Sequence, residues 1–153
     1  MKKTIFIFLL SFLLIFIYFF LFTNKTTTPP LVPLRGDVVI NEKVFSVLIM
    51  DTATGRQNGL SHRKYLLSDE GMLFVFEKED FHGFWMKDML FSIDMIWIDA
   101  NLRVVHVERS VSPKTYPKVF SPESKSLYVL EVLAGQSDIN NIKIGDGVKI
   151  LKK

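Results

Sequence analysis

The chain of 153 residues has no cysteine. That excludes a disulfide scaffold, a thiolate zinc site, a thiol nucleophile and a lipid-modified cysteine anchor. It also lacks a G-x-S-x-G elbow and a glycine-rich phosphate loop, so neither nucleophile-elbow acyl transfer nor nucleotide chemistry has a motif to stand on. His62, His82 and His106 are too far apart for the local spacing of a zinc site, and no H-E-x-x-H occurs. Proline is scarce and unevenly placed. Three of the six stand at positions 29, 30 and 33, and the others are Pro113, Pro117 and Pro122.

A net positive charge on the domain is lacking too, once the placement of the basic residues is considered. The formal charge is +3, but Lys2, Lys3, Lys25 and Arg35 all precede residue 36, leaving residues 36–153 with 15 basic and 16 acidic side chains. The basic excess flanks an apolar segment, so it is no sign of a nucleic-acid partner. No stretch interleaves basic and aromatic residues on one face, as a nucleic-acid site would.

What the sequence has in abundance is one long apolar run. Thr4–Phe22 contains no charge and holds seven of the fourteen phenylalanines. As a helix it would span roughly 28 Å, close to the hydrocarbon thickness of a bilayer. A cleavable signal peptide has a shorter apolar region ending in small residues, whereas this run ends in Phe22-Thr23-Asn24-Lys25. Residues 1–23 are therefore expected to be an uncleaved transmembrane anchor, with Lys2 and Lys3 on the cytoplasmic side and the rest of the chain outside it. Residues 24–35, rich in Thr and Pro, are expected to form an extended tether. Residues 36–153 form the folded domain.

Within that domain, Asp37–Ile40 and Val44–Met50 read as a hairpin turning at Asn41-Glu42. Thr52 can cap a short helix over Ala53–Leu60 that Gly59 or Ser61 ends. Met72–Phe76, Phe84–Lys87, Ser92–Ile98, Arg103–Arg109, Leu127–Leu133 and Val148–Leu151 follow as strands, with one helical turn at Gln136–Asn140. Ser110–Ser126 holds three prolines and reads as a long loop. The expected fold is β-rich α+β: a small barrel or sandwich of about seven short strands with one or two short helices.

Arg56-x-x-Gly59-Leu60, Arg63, Glu70-Gly71-Met72-Leu73-Phe74-Val75-Phe76, Phe84-Trp85-Met86-Lys87, Asp94–Asp99, Leu130-Glu131, Gly135 and Ile144-Gly145-Asp146-x-Val148 occur in that order. In this the chain resembles the bacterial and archaeal family called domain of unknown function 192, over essentially all of residues 37–151. It departs from the usual pattern at Ser61, at Asp88-Met89 and at Ser92. The resemblance implies a small β-rich fold and no particular activity.

Strand alternation singles out two acids. Asp94 shares a face with Ile96 and Ile98, and Glu131 shares one with Leu127, Val129 and Leu133. An acid on an apolar face is paired, hydrogen-bonded or held protonated. Either Asp94 and Glu131 anchor buried pairs, with Arg56, Arg63 or Lys87 as the available cations, or they converge with Trp85 and Lys87 in a polar pocket. Arg63, Trp85, Lys87, Asp94 and Glu131 are the ligand-binding candidates. An open cleft holding both acids would suit a small envelope hydrolase; Trp85, Trp97 and Tyr128 could instead stack on an envelope glycan, or belong to the core. A broad exposed apolar patch would point to a membrane-protein partner. His82, Met86, Met89 and Met95 could offer soft ligands to Cu(I), but Met is also a common core filler. The sequence implies neither metal nor cofactor. The expectation is a non-catalytic binding domain in the cell envelope.

Overall fold

The computed structural model describes residues 16–18 and 34–153. Of the expected anchor only Phe16, Ile17 and Tyr18 are described, and they are helical. The rest of residues 1–23, and the tether up to residue 33, lie outside the described residues. No helix among the described residues is long and apolar enough to cross a membrane.

β1 (Leu34–Ile40) turns back onto β2 (Lys43–Met50) through Asn41 and Glu42, both at positive φ. A two-residue turn of that hand matches the twist of paired strands. Thr52 then caps α1 (Ala53–Asn58), its hydroxyl accepting from the Gly55 amide at 3.1 Å, and Gly59 ends the helix. β3 (Glu70–Asp80) follows and lies parallel to β2, with α1 in the connection between them. β5 (Ile93–Ile98), β6 (Val104–Val111), β8 (Ser126–Leu133), the single turn α2 (Gln136–Ile139) and β9 (Val148–Lys152) complete the main framework.

Seven strands form one sheet in the order β6-β5-β8-β3-β2-β1-β9, antiparallel except for the β2–β3 pair. Its two edge strands come together just before they begin. Arg103 bridges Gly147, the Val104 amide donates to the Asp146 carbonyl at 3.0 Å, and the Val148 amide donates to the Leu102 carbonyl at 2.9 Å. The sheet is thus rolled up and closed at that end, which protects its edges.

Two further strands depart from the expectation. β4 is only Phe84–Trp85, shorter than the strand expected over Phe84–Lys87. It pairs with β7 (Val119–Phe120), which lies in the segment expected to be loop throughout. Gly83 permits the pairing, because a Cβ there would stand 2.8 Å from a Val119 methyl. Pro113–Thr115, in that same segment, makes a 3-10 turn capped by Ser112.

This small second sheet explains why the domain has two cores. The inner one fills the rolled sheet, with Phe45, Leu73, Ile96, Ile98 and Leu130 at its centre. The outer one lies on the other face of β3, β5 and β8, where Met72, Phe74, Met95, Trp97 and Val129 are covered by Leu60, Met86, Met89 and Phe120. Every residue of β5 is consequently buried. Full burial of each large side chain contributes roughly 1.5–3 kcal/mol.

Candidate functional site

Asp94 and Glu131 sit on adjacent strands but on opposite faces. Met95 pairs with Glu131, and Asp94 pairs with Val132. Directly paired residues share a face, and successive residues alternate. Asp94 therefore points inward with Val132, and Glu131 points outward with Met95 on one side and Met72 on the other.

Their surroundings differ as much as their directions. Asp94 is fully buried and saturated with backbone donors: Ser110 N at 2.8 Å and Gly135 N at 3.1 Å on Oδ1, and Ser137 N at 2.7 Å on Oδ2. It welds β6 and the start of α2 onto β5. The arrangement answers a local need, because the β5–β6 register shifts between Ile93 and Met95 and Ser110 lies at positive φ there. Glu131 is only 4 % exposed, and none of the described residues donates a hydrogen bond to it or pairs with it. Burial alone pushes its carboxyl from 4.5 up to about 8, so it is predominantly protonated at neutral pH.

The unpartnered acid opens onto a cavity of about 380 Å³. Phe74 and Phe76 of β3, Phe84 and Trp85 of β4, and Met89 supply its apolar walls, and α1 supplies Arg56, Gln57 and Asn58 at the rim. These parts are held in place by specific contacts. Phe84 meets Phe74 edge-on at 4.8 Å and Trp97 at 6.1 Å, while the Trp97 indole N–H donates to the His82 carbonyl at 2.8 Å. His82 stacks on Phe76 at 3.5 Å. Arg56 Nη1 donates to the carbonyls of Asp51 at 2.7 Å and Val75 at 2.8 Å, and its guanidinium lies 5.2 Å from the Phe76 ring centre. The segment after α1 is tied to the turn after β4 by Ser61 Oγ donating to the Lys87 carbonyl and His62 N to the Asp88 carbonyl, both at 2.9 Å. Two of the residues at which the chain departs from the resembled pattern, Ser61 and Asp88, are thus part of this clasp.

The five sequence candidates are distributed over three places. Trp85 and Glu131 line the same cavity, with Trp85 still 51 % exposed. Lys87 stands beside them: its ammonium is 6.0 Å from the Trp85 ring centre, and it lines an adjoining polar groove with His62 and Asp88. Arg63 lies elsewhere, in a cleft of about 260 Å³ with Arg35, Glu70 and Lys153. Asp94 belongs to the inner face. Of the two readings left open by the sequence, convergence of Asp94 with Glu131 in one pocket is not what the sheet builds, and a two-carboxylate hydrolytic site cannot be assembled from them. Phe74, Phe76 and Phe84 are site residues that sequence reasoning did not choose, and Arg56 entered it only as an available cation. The alternation of Phe74 and Phe76 around inward-facing Val75 was the available signal.

Met86, Met89 and Met95 are buried in the outer core. Among the described residues no group of three or more His, Asp or Glu side chains could hold a metal. The cavity offers instead one carboxyl that needs a partner, flanked by aromatic and thioether surface.

No curated protein matches the chain. Among solved structures it is similar to a protein of unknown function from Novosphingobium aromaticivorans DSM 12444, at 26 % identity over 79 % of this chain and 89 % of that one, with a TM-score of 0.72. It is also similar to a protein from Sinorhizobium meliloti 1021 provisionally described as a transcription regulator, at 22 % identity over 78 % of this chain and 94 % of that one, with a TM-score of 0.71. The second likeness speaks for the fold alone. The model of the uncharacterised family DUF192, described as Uncharacterized ACR, matches residues 37–150, so the chain belongs to that family.

Proposed function

We propose that the protein is a non-catalytic binding protein of the cell envelope. In this reading residues 1–23 anchor it in the membrane, residues 24–35 form a tether, and the domain of residues 36–153 takes a small ligand outside the cytoplasm in the cavity floored by Glu131. The observation that carries the binding role is Glu131, only 4 % exposed, without a partner among the described residues and lining a preformed cavity. A carboxyl held among largely apolar walls favours a ligand that brings it a donor or a cation. The alternative of a hydrolase using Asp94 and Glu131 loses its second acid, because Asp94 is on the opposite face and fully engaged. Envelope glycans and muropeptides are the first ligands to test, because the exposed face of Trp85 can stack on a sugar ring.

The test uses tryptophan emission of the full chain in lipid nanodiscs. The chain has two tryptophans, Trp85 in the cavity wall and Trp97 fully buried. Saturable change in Trp85 emission, lost in Glu131→Leu while the variant stays folded, supports the reading; no change with any glycan, muropeptide or small aromatic probe overturns it. The anchor and its orientation rest on the uncharged run Thr4–Phe22 behind Lys2 and Lys3. A protease-protection assay that finds residues 36–153 on the cytoplasmic side would reverse that part.

A further inference from the structure

We infer that the cavity over Glu131 takes an organic ammonium group carried on an apolar ring, the ammonium pairing with the Glu131 carboxylate and the ring lying among Phe74, Phe84 and Trp85. This rests on the reading of the cavity as a binding site and adds the chemical class of what binds.

The cavity holds one unmatched ionisable group among the described residues. Two ionisable side chains line the cavity itself, Arg56 and Glu131. Arg56 already has partners, since two main-chain carbonyls and the Phe76 ring hold it at the rim. Glu131 has none among the described residues. The group that the ligand must complement is therefore the acid, and an acid is complemented by a cation or a donor.

The walls decide between those two. Aromatic faces attract cations through the negative potential above the ring, and the attraction grows when water is excluded. Rings of this wall already carry cations, Arg56 over Phe76 at 5.2 Å and Lys87 over Trp85 at 6.0 Å. A carboxylate with aromatic neighbours is the combination that holds an ammonium group in an otherwise apolar site, where a hydroxyl ligand would gain no ring attraction. Met89, also in the wall, adds polarisable thioether surface.

Proton balance follows directly. The free site holds Glu131 protonated, and the bound site holds it as carboxylate against the ammonium. Binding therefore releases one proton from the Glu131 carboxyl to solvent. Below the pH at which Glu131 ionises, affinity should rise about tenfold per pH unit; for a neutral ligand hydrogen-bonded to the protonated acid it should not. The other charged or titratable groups near the site are Arg56 from α1, His82 behind Phe76, and His62, Lys87 and Asp88 in the adjoining groove.

Three probes of one shape, phenethylammonium, 2-phenylethanol and 3-phenylpropionate, test the assignment by Trp85 emission and calorimetry on the full chain in nanodiscs. The expected result is that phenethylammonium binds most tightly, gains about tenfold in affinity between pH 6 and pH 7, and releases close to one proton per ligand at pH 7. Glu131→Gln should abolish both the slope and the preference while keeping any binding of 2-phenylethanol. Equal or tighter binding of the alcohol would overturn the ammonium assignment but leave the cavity as a binding site. Tighter binding of 3-phenylpropionate would do the same and move the recognition to Arg56. A slope that survives in Glu131→Gln would not come from Glu131 and would also overturn it. If none of the probes binds, and envelope glycans and muropeptides also fail, both the assignment and the binding reading fall.

Discussion

Asp94 and Glu131 are one residue out of step across the β5–β8 ladder, and that single step separates a structural acid from a functional candidate. Met95, not Asp94, is the residue opposite Glu131. The side-chain period of a strand is two, so a one-residue offset sends the two carboxyls to opposite faces. One meets three backbone amides in the inner core. The other lines a cavity with aromatic walls and a polar rim, with no partner among the described residues.

The first prediction concerns Glu131 and pH. In the unfolded chain it ionises near 4.5 and in the folded chain near 8. Between those values the folded state keeps a proton that the unfolded state has released, so stability falls as pH rises, and the loss is complete above about 8. From pH 5 to pH 7 the decline due to this group is about 2 to 3 kcal/mol. Glu131→Gln, neutral and of the same shape, should flatten the curve and be the more stable protein at pH 8. Denaturant titrations at pH 5, 7 and 8 measure it, and an unchanged slope in the variant would mean that Glu131 is not held protonated.

For Asp94 the prediction concerns stability and not ligand binding. Asp94→Ala leaves the amides of Ser110, Gly135 and Ser137 without an acceptor, each a loss of about 1–3 kcal/mol if it stays buried. A destabilisation of about 3 to 5 kcal/mol is expected, with Asp94→Asn intermediate. Ligand affinity should be unchanged wherever the variant is still folded, because Asp94 does not line the cavity. A selective loss of binding with stability intact would contradict the division between the two faces.

How far these roles can be read from sequence follows from the same geometry. The face of each acid was legible, since alternation along a strand is local: Asp94 does share its face with Ile96 and Ile98, and Glu131 with Val129. The hairpin turn at Asn41-Glu42, the Thr52 cap and the Gly59 stop were legible for the same reason. What covers each face was not, because the cover is remote in sequence. Glu131 is roofed by residues 53–61 and 83–89, and Asp94 is satisfied by residues 110, 135 and 137. The two-residue pairing of β4 with β7 is too short to carry a pattern, and it lies beside the prolines that suggest a loop. Arg63 looked like a partner for the acids by its place in the motif order, yet the chain turns it into a separate cleft with Glu70.

Trp85 separates binding from stability. It is half exposed, with Tyr116 edge-on at 5.8 Å and Lys87 over its face. Trp85→Ala should change the unfolding free energy by about 1 kcal/mol or less, as exposed substitutions do, while weakening any ring-bearing ligand at least tenfold, the worth of about 1.4 kcal/mol of stacking. Calorimetry and denaturant titration on the same variant check both halves. A large loss of stability with unchanged affinity would make Trp85 part of the architecture.

Gly59 tests whether the shape of the cavity matters as well as its chemistry. It ends α1 at φ 49 and ψ −137, a conformation open almost only to glycine. A Cβ there would also stand 3.3 Å from the Phe74 ring, tighter than an ordinary contact. Gly59→Ala must therefore strain the backbone, at about 1–3 kcal/mol, and press on an aromatic wall of the cavity. Phe74 is fixed from behind by Phe84, so the ring has little room to yield and the strain should be felt by both. The variant is expected to lose that much stability and also to bind ring-bearing ligands more weakly, although position 59 contributes no charge or hydrogen-bonding side chain. Denaturant titration and Trp85 emission read the two effects separately. Loss of stability with full affinity would show that the ligand tolerates a displaced Phe74, and the aromatic wall would then matter for its surface and not for its exact position.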